Sequence, residues 1–240
     1  MKQIPLFRPI LTNNDYRTIE KSLKSGWLTH GQNNLKFEKI FCRLIGVKYA
    51  ISMNSCTSAL ECALKIIKKR GEVIIPSWTW VSTANAVLNT GNIPVFADVE
   101  INSRNLTSEK IKKCISKKTI AIIVVHYGGL PCEMDSIVRL AKKNKIELIE
   151  DSAETLGATW KNKQAGSFGV GCFSFFPTKN ITTTEGGMLT TNSFEKYVRI
   201  RFRIGGFIES TKFQGSMDGI QLKRRGNCGM EHAFELTCTL

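Results

Sequence analysis

The sequence lacks the features that mark membrane, secreted and zinc-binding proteins. It has no run of 18 apolar residues, and its N-terminal stretch contains no apolar segment long enough for a signal peptide. Its eight cysteines are scattered, without CxxC pairs or the density of a small disulfide-rich scaffold. Internal repeats and low-complexity segments are also missing. We therefore predict a soluble cytoplasmic protein with reduced thiols, no membrane partner and no metal.

Acidic residues are scarce. The 20 Asp and Glu residues against 34 Lys and Arg residues give a formal net charge of +14. Such an excess attracts nucleic acids, membrane surfaces or anionic small molecules. The basic residues fall in short clusters and form no single stripe with aromatic residues between them, which a nucleic-acid interface typically has. We therefore predict no nucleic-acid partner, whereas affinity for phosphate-bearing small molecules is compatible with the charge.

Apolar runs alternate along the chain with segments of helical periodicity. With 240 residues, 42% of them hydrophobic, the chain can bury a sizeable core. The runs are apolar on both faces, which is typical of a parallel sheet buried beneath helices. We predict an α/β fold with a mostly parallel sheet in three layers. The predicted strands are residues 49–53, 72–76, 94–99, 121–127 and 146–151; the predicted helices are 14–24, 34–44, 54–69, 106–115 and 133–144, with another opening near residue 78.

Small polar residues follow the first predicted strand and open a helix. Ser55, Cys56 and Thr57 stand at this point. Free amides at a helix start, together with hydroxyl groups and the helix dipole, can bind a phosphate. Ser and Thr are also common N-caps, so an ordinary capped helix is the alternative.

An aromatic residue and an acid stand at the carboxyl ends of two further strands, where ligands bind in parallel sheets. Trp80 follows strand 72–76, and Asp151 ends strand 146–151. Trp78 and Trp80 fit either core aromatics or rings that stack on a planar ligand. Asp151 fits either a helix cap or turn acid, or a ligand-binding carboxylate.

Lys179 differs from the other lysines in its sequence surroundings. Phe173, Phe175 and Phe176 precede it, and it carries the only charge within residues 165–184. An apolar setting disfavours the ammonium form, and a neutral amine can attack a carbonyl to form a Schiff base. The sequence therefore predicts that Lys179 lies in an apolar environment and is a nucleophile.

These features, with Ser174 beside them, match the needs of pyridoxal phosphate (PLP). Its aldehyde takes a lysine, its ring nitrogen takes an acid, and its phosphate takes a helix N-terminus. The sequence moreover resembles the DegT/DnrJ/StrS family of PLP-dependent sugar aminotransferases over roughly residues 4–205, which implies a large domain like that of type I aminotransferases. The motifs that carry the resemblance are NSCTSALECAL, VIIPSWTWVSTANAVLNTG and IEDSAETLGATWKNKQAGSFGVGCFSFFPTKNITTTEGGM.

The resemblance implies a role for each candidate residue. Lys179 would be the Schiff-base lysine, Asp151 the partner of the pyridine nitrogen, and Trp80 the stacking ring. Glu154 would lie near the cofactor's phenolic oxygen, as in relatives of the perosamine-synthase type. The residues implied to hold the phosphate are Cys56, Thr57 and Ser174.

The function implied is transfer of an amino group from glutamate or glutamine to a nucleotide-linked keto sugar. Relatives that are dehydratases carry His in place of Lys179, which argues against that branch. The family also implies a homodimer. From residue 206 the family pattern fades, so we expect residues 1–205 to form the PLP-binding domain, followed by a divergent, irregular tail without the family's small C-terminal domain. The alternative is a shortened, inactive fragment or a binding module of the same fold.

Overall fold

The computed structural model describes residues 4–5, 7–204, 216–217, 220–224 and 234–238. The helices are α1 (Asn13–Lys24), α2 (Gln32–Ile45), α3 (Cys56–Lys65), α4 (Val81–Asn89), α5 (Ser108–Cys114), α6 (Met134–Asn144) and α7 (Phe194–Arg203). The strands are β1 (Tyr49–Met53), β2 (Glu72–Pro76), β3 (Ile93–Ala97), β4 (Thr119–Val125), β5 (Glu147–Asp151), β6 (Thr159–Trp160), β7 (Lys163–Gln164), β8 (Val170–Ser174), β9 (Gly187–Thr191), β10 (Ser216–Met217), β11 (Ile220–Arg224) and β12 (Phe234–Cys238).

Seven strands form the central sheet, in the order β1-β9-β8-β5-β4-β2-β3. Strand β9 runs antiparallel to both of its neighbours, β1 and β8. The remaining neighbours, from β8 through β5, β4 and β2 to β3, are parallel. Six strands therefore point the same way and one is reversed, so the predicted mostly parallel sheet is confirmed.

Helices cover both faces of this sheet. On one face, Ile111 of α5 and Ile137 of α6 share a core cluster with Leu148 of β5. On the other face, Asp151, three positions further along β5, contacts Thr83 of α4, and α3 packs against α4. Helix α2 adds a further cluster in which its Phe41 ring lies 5.0 Å from the ring of Phe173. The predicted three-layer arrangement is confirmed.

Several predicted boundaries differ from those in the structure. Strand β4 ends two residues earlier than predicted, because Gly128 and Gly129 have positive φ angles and the chain turns into a short 3-10 helix at Tyr127–Gly129. Helix α3 ends at Lys65 rather than near residue 69. The apolar pattern did not predict β9 or α7, and it did not predict the β6–β7 hairpin.

The chain divides into two compact units, Met1–Tyr197 and Val198–Leu240. In the second unit, β10, β11 and β12 form an antiparallel sheet, where the weak apolar periodicity had predicted an irregular tail. Most of the remaining residues from 205 onward lie outside the described ranges. Within the described ranges, no helix combines the length and the hydropathy that crossing a bilayer requires.

Candidate active site

The candidate residues converge on one edge of the central sheet. Strands β1, β2, β4, β5 and β8 are parallel, so their carboxyl ends meet there, and the reversed strand β9 begins at the same edge. Gly187, the first residue of β9, pairs with Met53 on one side and with Ser174 on the other. Residues that are far apart in sequence are therefore brought together by the strand order.

Asp151 ends β5 as a buried carboxylate with only 5% of its surface exposed. Its Oδ2 accepts a hydrogen bond from the Thr83 hydroxyl at 2.9 Å, and its Oδ1 accepts one from the backbone amide of Ala153 at 3.3 Å. Burial raises the pKa of Asp151 above its ordinary value, while these hydrogen bonds and the charge of Lys179 oppose the rise. Asp151 is therefore not the cap of a helix. One of its oxygens accepts the amide two residues further on, as a turn acid does, and the Thr83 hydroxyl holds the other oxygen.

Lys179 forms an ion pair with Glu154. The Lys179 Nζ lies 3.3 Å from Glu154 Oε1, and only 21% of the lysine side chain is exposed. The other carboxylate oxygen of Glu154 accepts a hydrogen bond from the backbone amide of Gly128 at 2.9 Å. The prediction that Lys179 lies in an apolar environment is wrong, because Glu154 places a carboxylate beside it.

The start of α3 lies against Gly187, whose pairing partner on β8 is Ser174. Ser55 is the N-cap, accepting a hydrogen bond from Ser58. A Cβ on Gly187 would lie 2.7 Å from the Cys56 amide nitrogen, so only glycine lets β9 approach the helix start this closely. The first amides of a helix have no intrahelical acceptor and favour an anion. The helix start is thus capped and still offers amides, including those of Cys56 and Thr57, to a phosphate.

The Cys56 side chain does not point toward such an anion. Its Sγ lies 3.8 Å from Asp151 Oδ1. Burial, and next the negative charge of Asp151, raise the pKa of the Cys56 thiol, so the thiol stays protonated at neutral pH. A phosphate contact by Cys56 would therefore come from its backbone amide.

Trp78 and Trp80 are not core residues. Trp80 is the N-cap residue of α4 and is 77% exposed, and Trp78 is 51% exposed. The Trp78 ring makes an edge contact with Tyr127, with 6.1 Å between ring centroids. An exposed ring at the carboxyl end of β2 leaves a face free for stacking on a planar ligand.

A buried polar pair lies beneath the site. Glu150 and His126 are almost completely buried, and Glu150 Oε2 lies 3.2 Å from His126 Nε2. Glu150 also accepts hydrogen bonds from the backbone amides of Gly166, Phe168 and Gly169. His126, the residue after β4, therefore has a structural role, because it helps to hold the buried Glu150 carboxylate in place.

The residues at this edge fit PLP in the chemistry of their donors and acceptors. The structure places a buried carboxylate, an amine, an exposed aromatic ring and a helix start at one sheet edge. The carboxylate suits a protonated ring nitrogen, and the helix start with its glycine-lined approach suits a phosphate. The sequence analysis did not identify Thr83, Glu150 or Gly187 as residues of the site. For Thr83, the sequence offered one indication: a hydroxyl side chain among the small residues that form α4.

Comparison with known proteins indicates the same family as the sequence motifs do. The family model of the DegT/DnrJ/EryC1/StrS aminotransferase family matches residues 9–228. An uncharacterised protein of Methanocaldococcus jannaschii is 40% identical over 95% of this chain and 60% of its own length. The aminotransferase PseC of Helicobacter pylori superposes with a TM-score of 0.81 at 34% identity, covering 90% of this chain and 60% of PseC.

A second similar structure contains the cofactor. It is GDP-4-keto-6-deoxy-D-mannose-3-dehydratase from E. coli with bound hydrated PLP, with a TM-score of 0.77 at 33% identity, covering 82% of this chain and 53% of the dehydratase. The chain spans about half to three fifths of the length of these relatives. Because the family match covers most of the sequence, the chain belongs to the DegT/DnrJ/EryC1/StrS aminotransferase family.

Proposed function

We propose that the protein is a PLP-dependent aminotransferase that moves an amino group from glutamate or glutamine to a nucleotide-linked keto sugar. The observation that carries the proposal is the position of Lys179, whose Nζ is held 3.3 Å from Glu154 at the sheet edge where Asp151 is buried. The PseC relative, an aminotransferase involved in the biosynthesis of pseudoaminic acid, supports a sugar as acceptor.

Each residue of the site has a distinct task. When bound, PLP supplies an aldehyde that takes up the amino group and a ring that accepts electrons. Asp151 would keep the ring nitrogen protonated, Trp80 would stack on the ring, and the start of α3 with Ser174 would hold the phosphate. Lys179 would hold the cofactor through its amine, and as a free amine it would be the base that accepts the proton from the donor's α-carbon.

Glu154 orients Lys179 and is itself oriented by the Gly128 amide. This ion pair restricts the range of rotamers that the Lys179 side chain adopts. The E. coli relative is a dehydratase, and the dehydratase branch carries His where this chain has Lys179. A lysine at this position favours amino transfer.

Trapping of the lysine with the cofactor tests the proposal. Purified protein mixed with PLP should develop visible absorbance, and borohydride reduction followed by peptide mass spectrometry should place the pyridoxyl group on Lys179. Lys179→Ala should lose both signals. Lys161→Ala is the matched control, because the Lys161 side chain is 70% exposed and pairs with Asp135. Wild-type protein without absorbance or label would refute the proposal.

Turnover is a separate measurement. Glutamate and glutamine are offered with a panel of nucleotide-linked keto sugars, and mass spectrometry detects the amino sugar. Light scattering checks for the expected homodimer of twice the 26.9 kDa chain mass. A cofactor-binding module without turnover is the alternative outcome of this measurement. Labelling of Lys179 without amino transfer would select it.

A further inference from the structure

A chain of two hydroxyl groups ends on Asp151. Thr83, in the first turn of α4, is fully buried, and its hydroxyl lies 2.9 Å from Asp151 Oδ2. The hydroxyl of Thr79 lies 2.8 Å from that of Thr83.

The direction of the hydrogen bonds follows from the chemistry of the groups. An ionised carboxylate only accepts, so Thr83 gives its hydrogen to Asp151. The oxygen of Thr83 then accepts the hydrogen of Thr79. Hydrogen bonds in such a chain polarise one another, and a bond to an ionised acceptor is stronger than one between neutral groups. The two hydroxyls thus act together on one oxygen of the carboxylate.

The same segment carries Trp80. Thr79 precedes this residue, and the amide of Thr83 donates to the Trp80 carbonyl at 3.1 Å. The Thr79–Thr83 contact therefore closes the turn on which the exposed indole stands. One hydrogen-bonded turn therefore carries the indole ring and also contributes a hydrogen bond to the acid.

We propose that Thr83, supported by Thr79, is the positioning residue for Asp151, fixing its carboxylate toward the ligand ring and stabilising its ionised form. This inference rests on the proposed function, because the ring nitrogen of PLP is the group that requires an ionised and oriented acid. The hydroxyl chain itself acts whether or not the cofactor is bound.

Other titratable groups also act on Asp151 and must be kept constant in a test. They are Cys56 from α3, Cys172 from β8, His126 after β4 and Lys179 after β8. None of them is changed by substitutions at Thr83. The Thr83 hydrogen bond lowers the pKa of Asp151 against the opposing and larger effect of burial.

The first measurement uses the cofactor-free protein. Carbon-13 NMR of labelled aspartate, assigned with Asp151→Asn, gives the titration of the Asp151 carboxyl group. Thr83→Val should move this titration to higher pH, and Thr83→Ser, which keeps the hydroxyl, should restore it. Thr90→Val is the matched control. Thr90 is the C-cap residue of α4, and its buried hydroxyl donates hydrogen bonds to the carbonyl groups of Ala86 and Val87. This substitution should leave the Asp151 titration unchanged.

The second measurement is the dissociation constant for PLP. Loss of a hydrogen bond to a charged group predicts a rise of about 10- to 100-fold in Thr83→Val, a smaller rise in Thr79→Val, and recovery in Thr83→Ser. An unshifted Asp151 titration in Thr83→Val would overturn the inference, as would equal effects of valine and serine. A shifted titration in a protein that takes up no PLP would support the role of Thr83 and refute the proposed function.

Discussion

Replacement of Glu150 by glutamine should strongly destabilise the fold. Each carboxylate oxygen accepts two donors: Oε1 from the amides of Phe168 and Gly169 at 2.8 and 2.7 Å, and Oε2 from Gly166 at 2.8 Å and His126 at 3.2 Å. A carboxamide has only one accepting oxygen. In either orientation of the substituted side chain, the new NH₂ group would face two donors instead of accepting from them.

The magnitude follows from this geometry. A buried donor left without an acceptor costs about 1–3 kcal/mol, and the carboxamide leaves two of the four donors in this position. We therefore expect Glu150→Gln to lower the free energy of unfolding by about 2–6 kcal/mol, a large part of the roughly 5–15 kcal/mol typical of a domain.

Urea-induced unfolding of the cofactor-free protein, followed by far-UV circular dichroism, measures this loss. Glu147→Gln is the control on the same strand, because the Glu147 side chain is 42% exposed and pairs with Lys196. The control should change the free energy of unfolding by no more than about 1 kcal/mol. A loss below about 1 kcal/mol in Glu150→Gln, with an unchanged denaturant slope, would refute the reasoning.

Two further predictions concern close packing and acid stability. Gly187→Ala should lower the free energy of unfolding, measured with urea, by about 3 kcal/mol, because the new Cβ would lie 2.5 Å from the Ser55 carbonyl carbon. Gly186→Ala is the comparison and should cost less, since the nearest atom to its Cβ is the Thr183 hydroxyl, which can rotate away. Hydrogen bonds from the Asn102 and Ser103 amides lower the pKa of Glu100 from 4.5 to about 2. The resulting stabilisation is present above pH 4.5 and is lost as the pH falls toward 2. Glu100→Gln should therefore make the free energy of unfolding less dependent on pH in this range. A Glu100 carboxyl group that titrates by NMR at its ordinary pKa would contradict this prediction.

The strand pattern was sufficient to predict most of the sheet but not its reversed strand. Five apolar runs become β1 to β5. Burial on both faces accounts for the central strands β2, β4 and β5, whereas Ile93 and Phe96 of the edge strand β3 are more than half exposed. Strand β9, with the sequence GMLTT, is buried at all five positions, yet it begins with a glycine and ends in two threonines. It runs antiparallel to β8, which precedes it, and to β1, which lies more than 130 residues earlier in the chain. The pairing with β1 leaves no local signal.

The same distinction between sequence neighbours and spatial neighbours applies to Lys179. The phenylalanines that precede it suggested an apolar environment, but Phe173 and Phe175 are buried against Phe41 of α2, with ring centroids 5.0 and 5.7 Å from it. The group that does lie beside the amine is Glu154, 25 residues earlier in sequence. Placing the candidate residues at strand ends therefore predicted that they lie along one edge of the sheet, because the carboxyl ends of parallel strands share that edge. It did not predict the partner of each one, since Glu154 and Thr83 reach the site through a loop and a helix turn whose positions depend on the packed structure.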